Sequence, residues 1–273
     1  MTKHQDPTGR RALLRGVTAF GLAALTGCTA GERPGTSPAP AGAAAHPARE
    51  PSTYRLRPLA GHGPRRASLT VRDAPILRLD TDPDDRAMAL TFDDGPDPAY
   101  TPEILRILRR HDVRATFLVC GGRARQSPDL LREMADAGHV IGNHTWTHPL
   151  LLKLDRPRIR AEMERTAELI ERTIGEPPLW FRAPYGAWNR NVFELGTELG
   201  MEPLAWTVDS LDWDDPGAPT VISRVVKRAA PGVIVLGHDA GGDRSQTLTA
   251  VRDYLPRLID AGYRLTVPRP TGV

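Results

Sequence analysis

Two histidines four residues apart, His144 and His148, and two adjacent aspartates, Asp93 and Asp94, are the side chains in this sequence best suited to hold a metal ion. Imidazoles with a carboxylate make a three-ligand site that leaves positions open for water and substrate. The i, i+4 spacing lets both rings face one ion if the segment turns helically. Two carboxylates side by side can point different ways, so that one binds metal while the other stays free as a base. Taken singly, each feature has a plainer reading: paired histidines serve packing or the surface, and Asp-Asp-Gly is a common solvated turn. They do not stand singly, because three more polar clusters follow: Arg182 to Tyr185, Asp209 to Trp213, and Leu236 to His238.

The elements that must position these residues are legible as a pattern. From about residue 86 the chain alternates apolar runs with segments of helical period, separated by polar or Gly/Pro breaks and without Asn-Gly hairpin signals. Strands are expected at 88–92, 115–120, 139–143, 180–182, 203–208, 233–236 and 263–267. Helices are expected from Thr101, read as an N-cap before Pro102, from Ser127 to the C′ glycine Gly138, from Asp155 to just before Gly175, and near 189–199, 220–229 and 246–261. Seven strands with intervening helices fit an α/β barrel smaller than the usual eightfold one. All five polar clusters fall at strand C-terminal ends, the face on which parallel α/β folds build their active sites, so acids, imidazoles and a guanidinium converge on one cleft.

The clusters resemble the five motifs of the polysaccharide deacetylase family, the NodB-homology domain of carbohydrate esterase family 4. They occur in order as Thr-Phe-Asp-Asp-Gly at 91–95, His-Thr-x-x-His at 144–148, Arg-x-Pro-Tyr at 182–185, Asp-x-x-Asp-Trp at 209–213 and Leu-x-His at 236–238. The resemblance covers roughly residues 86–267 and implies a distorted (β/α)7 barrel that removes N-acetyl, in some members O-acetyl, groups from carbohydrate polymers. It makes Asp94, His144 and His148 the ligands of one divalent metal, zinc first, with cobalt, nickel or manganese as alternatives. It makes Asp93 the general base, with Arg182 orienting it, and His238 the general acid, oriented by Asp212. The Tyr185 backbone N–H would bind the oxyanion, and Leu236 with Trp213 would line a pocket for the acetyl methyl. Asp209 receives no role.

The chemistry agrees with that scheme. Amide hydrolysis needs a nucleophile, a place for the developing oxyanion and a proton for a poor leaving group. A metal with acid–base help supplies all three without a serine nucleophile. Two other classes use parts of the same set. A non-heme iron oxygenase also uses two histidines and a carboxylate, but usually on a jelly roll. A non-catalytic carbohydrate-binding lipoprotein would have no use for the base and acid.

The remaining sequence concerns address rather than catalysis. The chain has 273 residues with a net charge of +3, which invites an acidic partner such as nucleic acid. Residues 1–27, however, read as a twin-arginine-like signal peptide: Arg10 and Arg11 precede an apolar run, and Leu25-Thr26-Gly27-Cys28 resembles a lipobox that would lipidate Cys28. That segment holds four basic residues against one acid. Residues 28–75 read as a disordered Pro/Ala/Gly-rich tether with seven arginines against three acids. The catalytic domain, 76–273, is therefore net acidic, and no nucleic-acid site is expected. The expected location is outside the cytoplasm, anchored to the membrane through Cys28, with a monomer as the default. Peptidoglycan leads as substrate, chitooligosaccharide comes next, and acetylated xylan or exopolysaccharide would need an O-acetyl esterase. Cys120, ending an apolar strand, reads as a buried small hydrophobe. Trp146, Trp188 and Trp206 are available for stacking on sugar rings or for packing. Asp239 and Asp243 with Arg244 are read either as shaping the cleft or as a loop salt bridge.

Overall fold

The computed structural model describes residues 69–82 and 84–269. The expected signal peptide, Cys28 and most of the expected tether lie outside the described residues. Eight strands occur among them: β1 (Ala87–Asp93), β2 (Thr116–Val119), β3 (Val140–Asn143), β4 (Trp180–Phe181), β5 (Glu202–Pro203), β6 (Val208–Asp209), β7 (Ile234–His238) and β8 (Arg264–Thr266). They form one parallel sheet in the order β5-β4-β3-β2-β1-β7-β6, with β8 paired to the first half of β1. The helices are α1 (Thr101–Arg110), α2 (Gly121–Gln126), α3 (Pro128–Asp136), α4 (Arg156–Ile174), α5 (Arg190–Glu198), α6 (Ala218–Lys227) and α7 (Ser245–Asp260). This is the distorted (β/α)7 barrel.

β1 is the centre of the sheet, and all seven of its residues are buried. Side chains alternate across a strand. Met88, Leu90 and Phe92 pack with Ile104, Leu108, Val251 and Leu255 of the flanking helices, while Ala89 joins Leu118, Trp180, Leu204 and Ile234 in a separate cluster. Thr91 and Asp93 share the face of Ala89, so the same period that builds the core aims the last residue of β1 into the barrel.

The strand expected at 203–208 is in fact two. β5 pairs with β4, β6 pairs with β7, and the two lie at opposite ends of the sheet order. The reason is a tertiary contact: the carbonyls of Leu204 and Ala205, between them, accept hydrogen bonds from the Arg182 guanidinium instead of joining a ladder. Residues 76–79 cover the interval. Ile76 N donates to Pro203 O, Ala205 N to Ile76 O and Leu79 N to Gly232 O, all at 2.8–2.9 Å, and Thr207 Oγ1 reaches Leu77 O. Just before this strap, Arg72 Nε donates to Glu202 Oε2 at 2.5 Å.

Helix starts follow the sequence signals unevenly. Asp155 caps α4 by accepting from Arg158 N, and Asn189 caps α5 by accepting from Val192 N. Thr101 does not cap α1; its hydroxyl accepts from Asp97 N and donates to Asp239. A short helix, α2, follows β2 directly, a segment for which the sequence pattern predicts no element.

Candidate active site

Strand ends deliver the predicted residues to one cleft of about 450 Å³. Asp93, Asp94, His144, His148, Tyr185, Asp209, Trp213, Leu236 and His238 all line it, as do Trp206 and Arg244. Arg182 and Asp212 lie beneath this lining, each fully buried.

The Arg182 guanidinium makes four hydrogen bonds inside the barrel: to Asp93 Oδ1 at 2.6 Å, Thr91 Oγ1 at 2.9 Å, Ala205 O at 2.8 Å and Leu204 O at 3.0 Å. Burial pushes the Asp93 carboxyl above its ordinary pKa, and the Arg182 charge only partly opposes the shift. Asp93 is therefore a stronger base than a solvated aspartate, held in one orientation.

The backbone of the same arginine holds a ring. His144 Nδ1 lies 2.8 Å from Arg182 O. A carbonyl only accepts, so Nδ1 carries the proton and the Nε2 lone pair is free. Burial lowers the His144 pKa to about 3, which keeps the ring neutral. Its Nε2 faces Asp94 Oδ1 at 3.6 Å, and His148 Nε2 faces the same oxygen at 3.3 Å. One donor atom from each of the three residues falls within 4.8 Å of the others. Asp94 Oδ1 is buried and has no hydrogen-bond partner among the described residues. A buried carboxylate oxygen left unpartnered between two imidazole nitrogens is what a site for a nitrogen- and oxygen-ligated divalent cation requires, and the donor set suits zinc.

The segment from His144 to His148 does not turn helically. It is an irregular loop in which Thr145 and His148 adopt left-handed φ values of 67° and 58°. Asp94 (77°), Tyr185 (61°) and Leu211 (52°) share that conformation. Left-handed backbone costs a residue with a Cβ about 1–2 kcal/mol, and it clusters here because the chain must turn sharply at each strand end to keep its side chains over the cleft.

On the other wall, His238 Nδ1 lies 2.7 Å from Asp212 Oδ1, and His238 N donates to Asp212 Oδ2 at 2.9 Å. Thr247 Oγ1 donates to Oδ2 at 2.7 Å, and Gln246 Nε2 to Asp212 O at 2.9 Å. Burial alone would lower the His238 pKa; the Asp212 hydrogen bond and charge, with help from Asp93 and Asp94, reverse this and lift it to about 9. Asp209 is half-buried; Leu211 N donates to its Oδ1 at 2.8 Å, and burial raises its carboxyl pKa.

Other residues sort by contact. Trp206 lines the cleft and lies over Gly186 and the Arg182 guanidinium. Trp188 stacks on Phe193 and meets Phe181 edge-on, in the core. Trp146 packs against Gly121 and under the Arg165 guanidinium. Cys120 is buried with its thiol pKa pushed well up, chiefly by burial, so it is a poor nucleophile. No ion pair joins Asp239, Asp243 and Arg244. Asp239 is fully buried, accepting from Gly95 N and the Thr101 hydroxyl, and Arg244 is buried with hydrogen bonds to Ala240 O and Asp212 O.

The polysaccharide deacetylase family matches residues 80–204. A chitooligosaccharide deacetylase of Rhizobium leguminosarum bv. trifolii is 39% identical over 193 residues, which cover 67% of this chain and 90% of that protein. A peptidoglycan-N-acetylglucosamine deacetylase of Bacillus cereus is 40% identical over 182 residues, 66% of this chain and 85% of that one. The crystal structure of the peptidoglycan N-acetylglucosamine deacetylase Bc1960 superposes with a TM-score of 0.67 at 35% identity, covering 70% of this chain and 89% of that chain. The barrel, the cleft and these likenesses together assign the chain to the polysaccharide deacetylase family of carbohydrate esterase family 4 hydrolases.

Proposed function

We propose that the protein is a metal-dependent N-deacetylase of an N-acetylated polysaccharide outside the cytoplasm, with peptidoglycan as the leading substrate and chitooligosaccharide next. The observation that carries this reading is the convergence of three metal-type donors within 4.8 Å of one another in a cleft flanked by Asp93 and His238. Relatives named for both substrates support the polymer class.

Asp94, His144 and His148 would hold the ion. Zinc in that position supplies a Lewis acid for the acetyl carbonyl and lowers the pKa of water. The chain's own groups do the rest. Asp93, made basic by burial and fixed by Arg182, takes the proton from the attacking water. The Tyr185 backbone N–H donates to the oxyanion. His238 is cationic below about pH 9 and gives its proton to the departing amine, while Asp212 stabilises the imidazolium. Leu236 and Trp213 receive the acetyl methyl. No covalent acyl-enzyme is needed, and none of the cleft residues named above is a serine.

A cleaved export signal and a lipid anchor at Cys28 fit such a substrate, because they would keep a monomeric enzyme beside a polymer that never enters the cell. The deciding experiment measures acetate released by the full chain from N-acetylated peptidoglycan, chitooligosaccharides and acetylated xylan, with the metal content of the same sample. Release from the N-acetylated glycans supports the reading; release from xylan alone would make the protein an O-acetyl esterase, and none from any glycan would sink catalysis.

A further inference from the structure

The loop from Thr145 to Thr147, between the two histidines, has no regular secondary structure, so its N–H groups need partners elsewhere. Thr145 N donates to Asn143 Oδ1 at 2.9 Å, and His148 N to Thr145 Oγ1 at 3.2 Å. The two N–H groups between them go to one atom: Trp146 N and Thr147 N both donate to Glu162 Oε2, at 2.9 and 2.8 Å. Thr147 Oγ1 donates to the other carboxylate oxygen at 2.9 Å. Three donors of one short loop thus converge on a single side chain of α4.

The opposite side of the loop is held as well. Gly121 N at the start of α2 donates to Thr145 O at 2.9 Å, and Gly122 N to Trp146 O at 3.0 Å. A Cβ on Gly121 would lie 2.4 Å from the Trp146 ring, so the approach is close. Without these anchors the left-handed conformations of Thr145 and His148 would relax, and the two imidazoles would separate. Helix α4 is itself fixed to β3, since Asn143 Nδ2 donates to Met163 O at 2.7 Å.

We propose that Glu162 is a positioning residue for the metal site. By clamping the loop between His144 and His148, it holds their rings at the separation that one ion requires. The inference rests on the ligand assignment proposed above, and it names a residue outside that ligand set.

The test measures zinc affinity of the metal-free full chain by competition with a chromophoric chelator, with melting temperature recorded alongside. Glu162→Ala should weaken zinc binding by about tenfold to a hundredfold, the range typical of groups that orient metal ligands. Glu162→Gln keeps one acceptor oxygen for the two N–H groups and should recover most of that loss. Glu162→Asp keeps the charge but falls one methylene short, and should bind zinc less tightly than the Gln variant. A Glu162→Ala protein that binds zinc as tightly as the unaltered chain would overturn the proposal, whatever its melting temperature. If that variant does not fold, wild-type affinity in Glu162→Asp overturns it instead. Failure of the unaltered chain to bind zinc would sink the ligand assignment itself, and the clamp with it.

Discussion

Asp93 and His238 are register partners, the last paired residues of the adjacent parallel strands β1 and β7. The proposed base and acid therefore reach the cleft through backbone ladders rather than through loops. Their spacing is set by the sheet, while the groups that tune them, Arg182 and Asp212, approach from different elements.

Asp93→Asn should cut acetate release by about 10²–10⁴-fold, the usual contribution of general acid–base catalysis. The amide oxygen can still accept from Arg182, so the circular dichroism spectrum should be unchanged. Activity within tenfold of the unaltered enzyme would remove Asp93 as the base.

The pH profile of kcat/KM should fall on its alkaline side with a midpoint near 9, because His238 as the proposed acid must be protonated and its pKa is lifted to about 9. The acidic limb should lie above the ordinary aspartate range, because burial raises the Asp93 pKa and the base works only when ionised. Asp212→Asn removes the charge that lifts His238, so its alkaline limb should move down towards the ordinary imidazole range. An unmoved limb would show that another group sets it.

Chelator treatment should abolish acetate release, and added zinc should restore it. His144→Ala removes a donor from the three-residue set, so added zinc should not rescue it. Full activity after exhaustive chelation, with metal content verified as nil, would contradict metal dependence.

Arg182→Met should destabilise the fold by about 3–5 kcal/mol, the cost of leaving one partner of a buried ion pair uncompensated. It strands Asp93 and also frees the Leu204 and Ala205 carbonyls. A urea melt would measure the loss, and a change under about 1 kcal/mol would mean that the barrel re-pairs those groups.

Much of this site was legible because the residues that carry chemistry are also the ends of regular elements. A strand read from an apolar run ends where its polar residue begins, so Asp93, Asn143 and His238 could be located without coordinates. Asp209, whose role the motif resemblance left open, lines the same cleft. What stayed hidden depends on which polar group meets which across long stretches of chain. The split of 203–208 into β5 and β6 follows from a guanidinium 22 residues away taking two carbonyls, and no local pattern records that. Glu162 looks like any solvated helix glutamate, because nothing in its spacing reveals that two N–H groups of a distant loop point at it. Thr101 carries a capping signal, yet its hydroxyl serves Asp97 and Asp239 instead.

The strap at residues 76–79 has a bearing on solubility. It saturates Pro203 O, Ala205 N and Gly232 O, groups that would otherwise be left as open edge positions. An uncovered edge is a template on which a second chain can add a strand. A polypeptide trimmed to residue 80, where the family match begins, would lose that cover and should self-associate into aggregates. One that retains residues from 69 onward keeps both the strap and the Arg72–Glu202 pair that precedes it, and should stay dispersed.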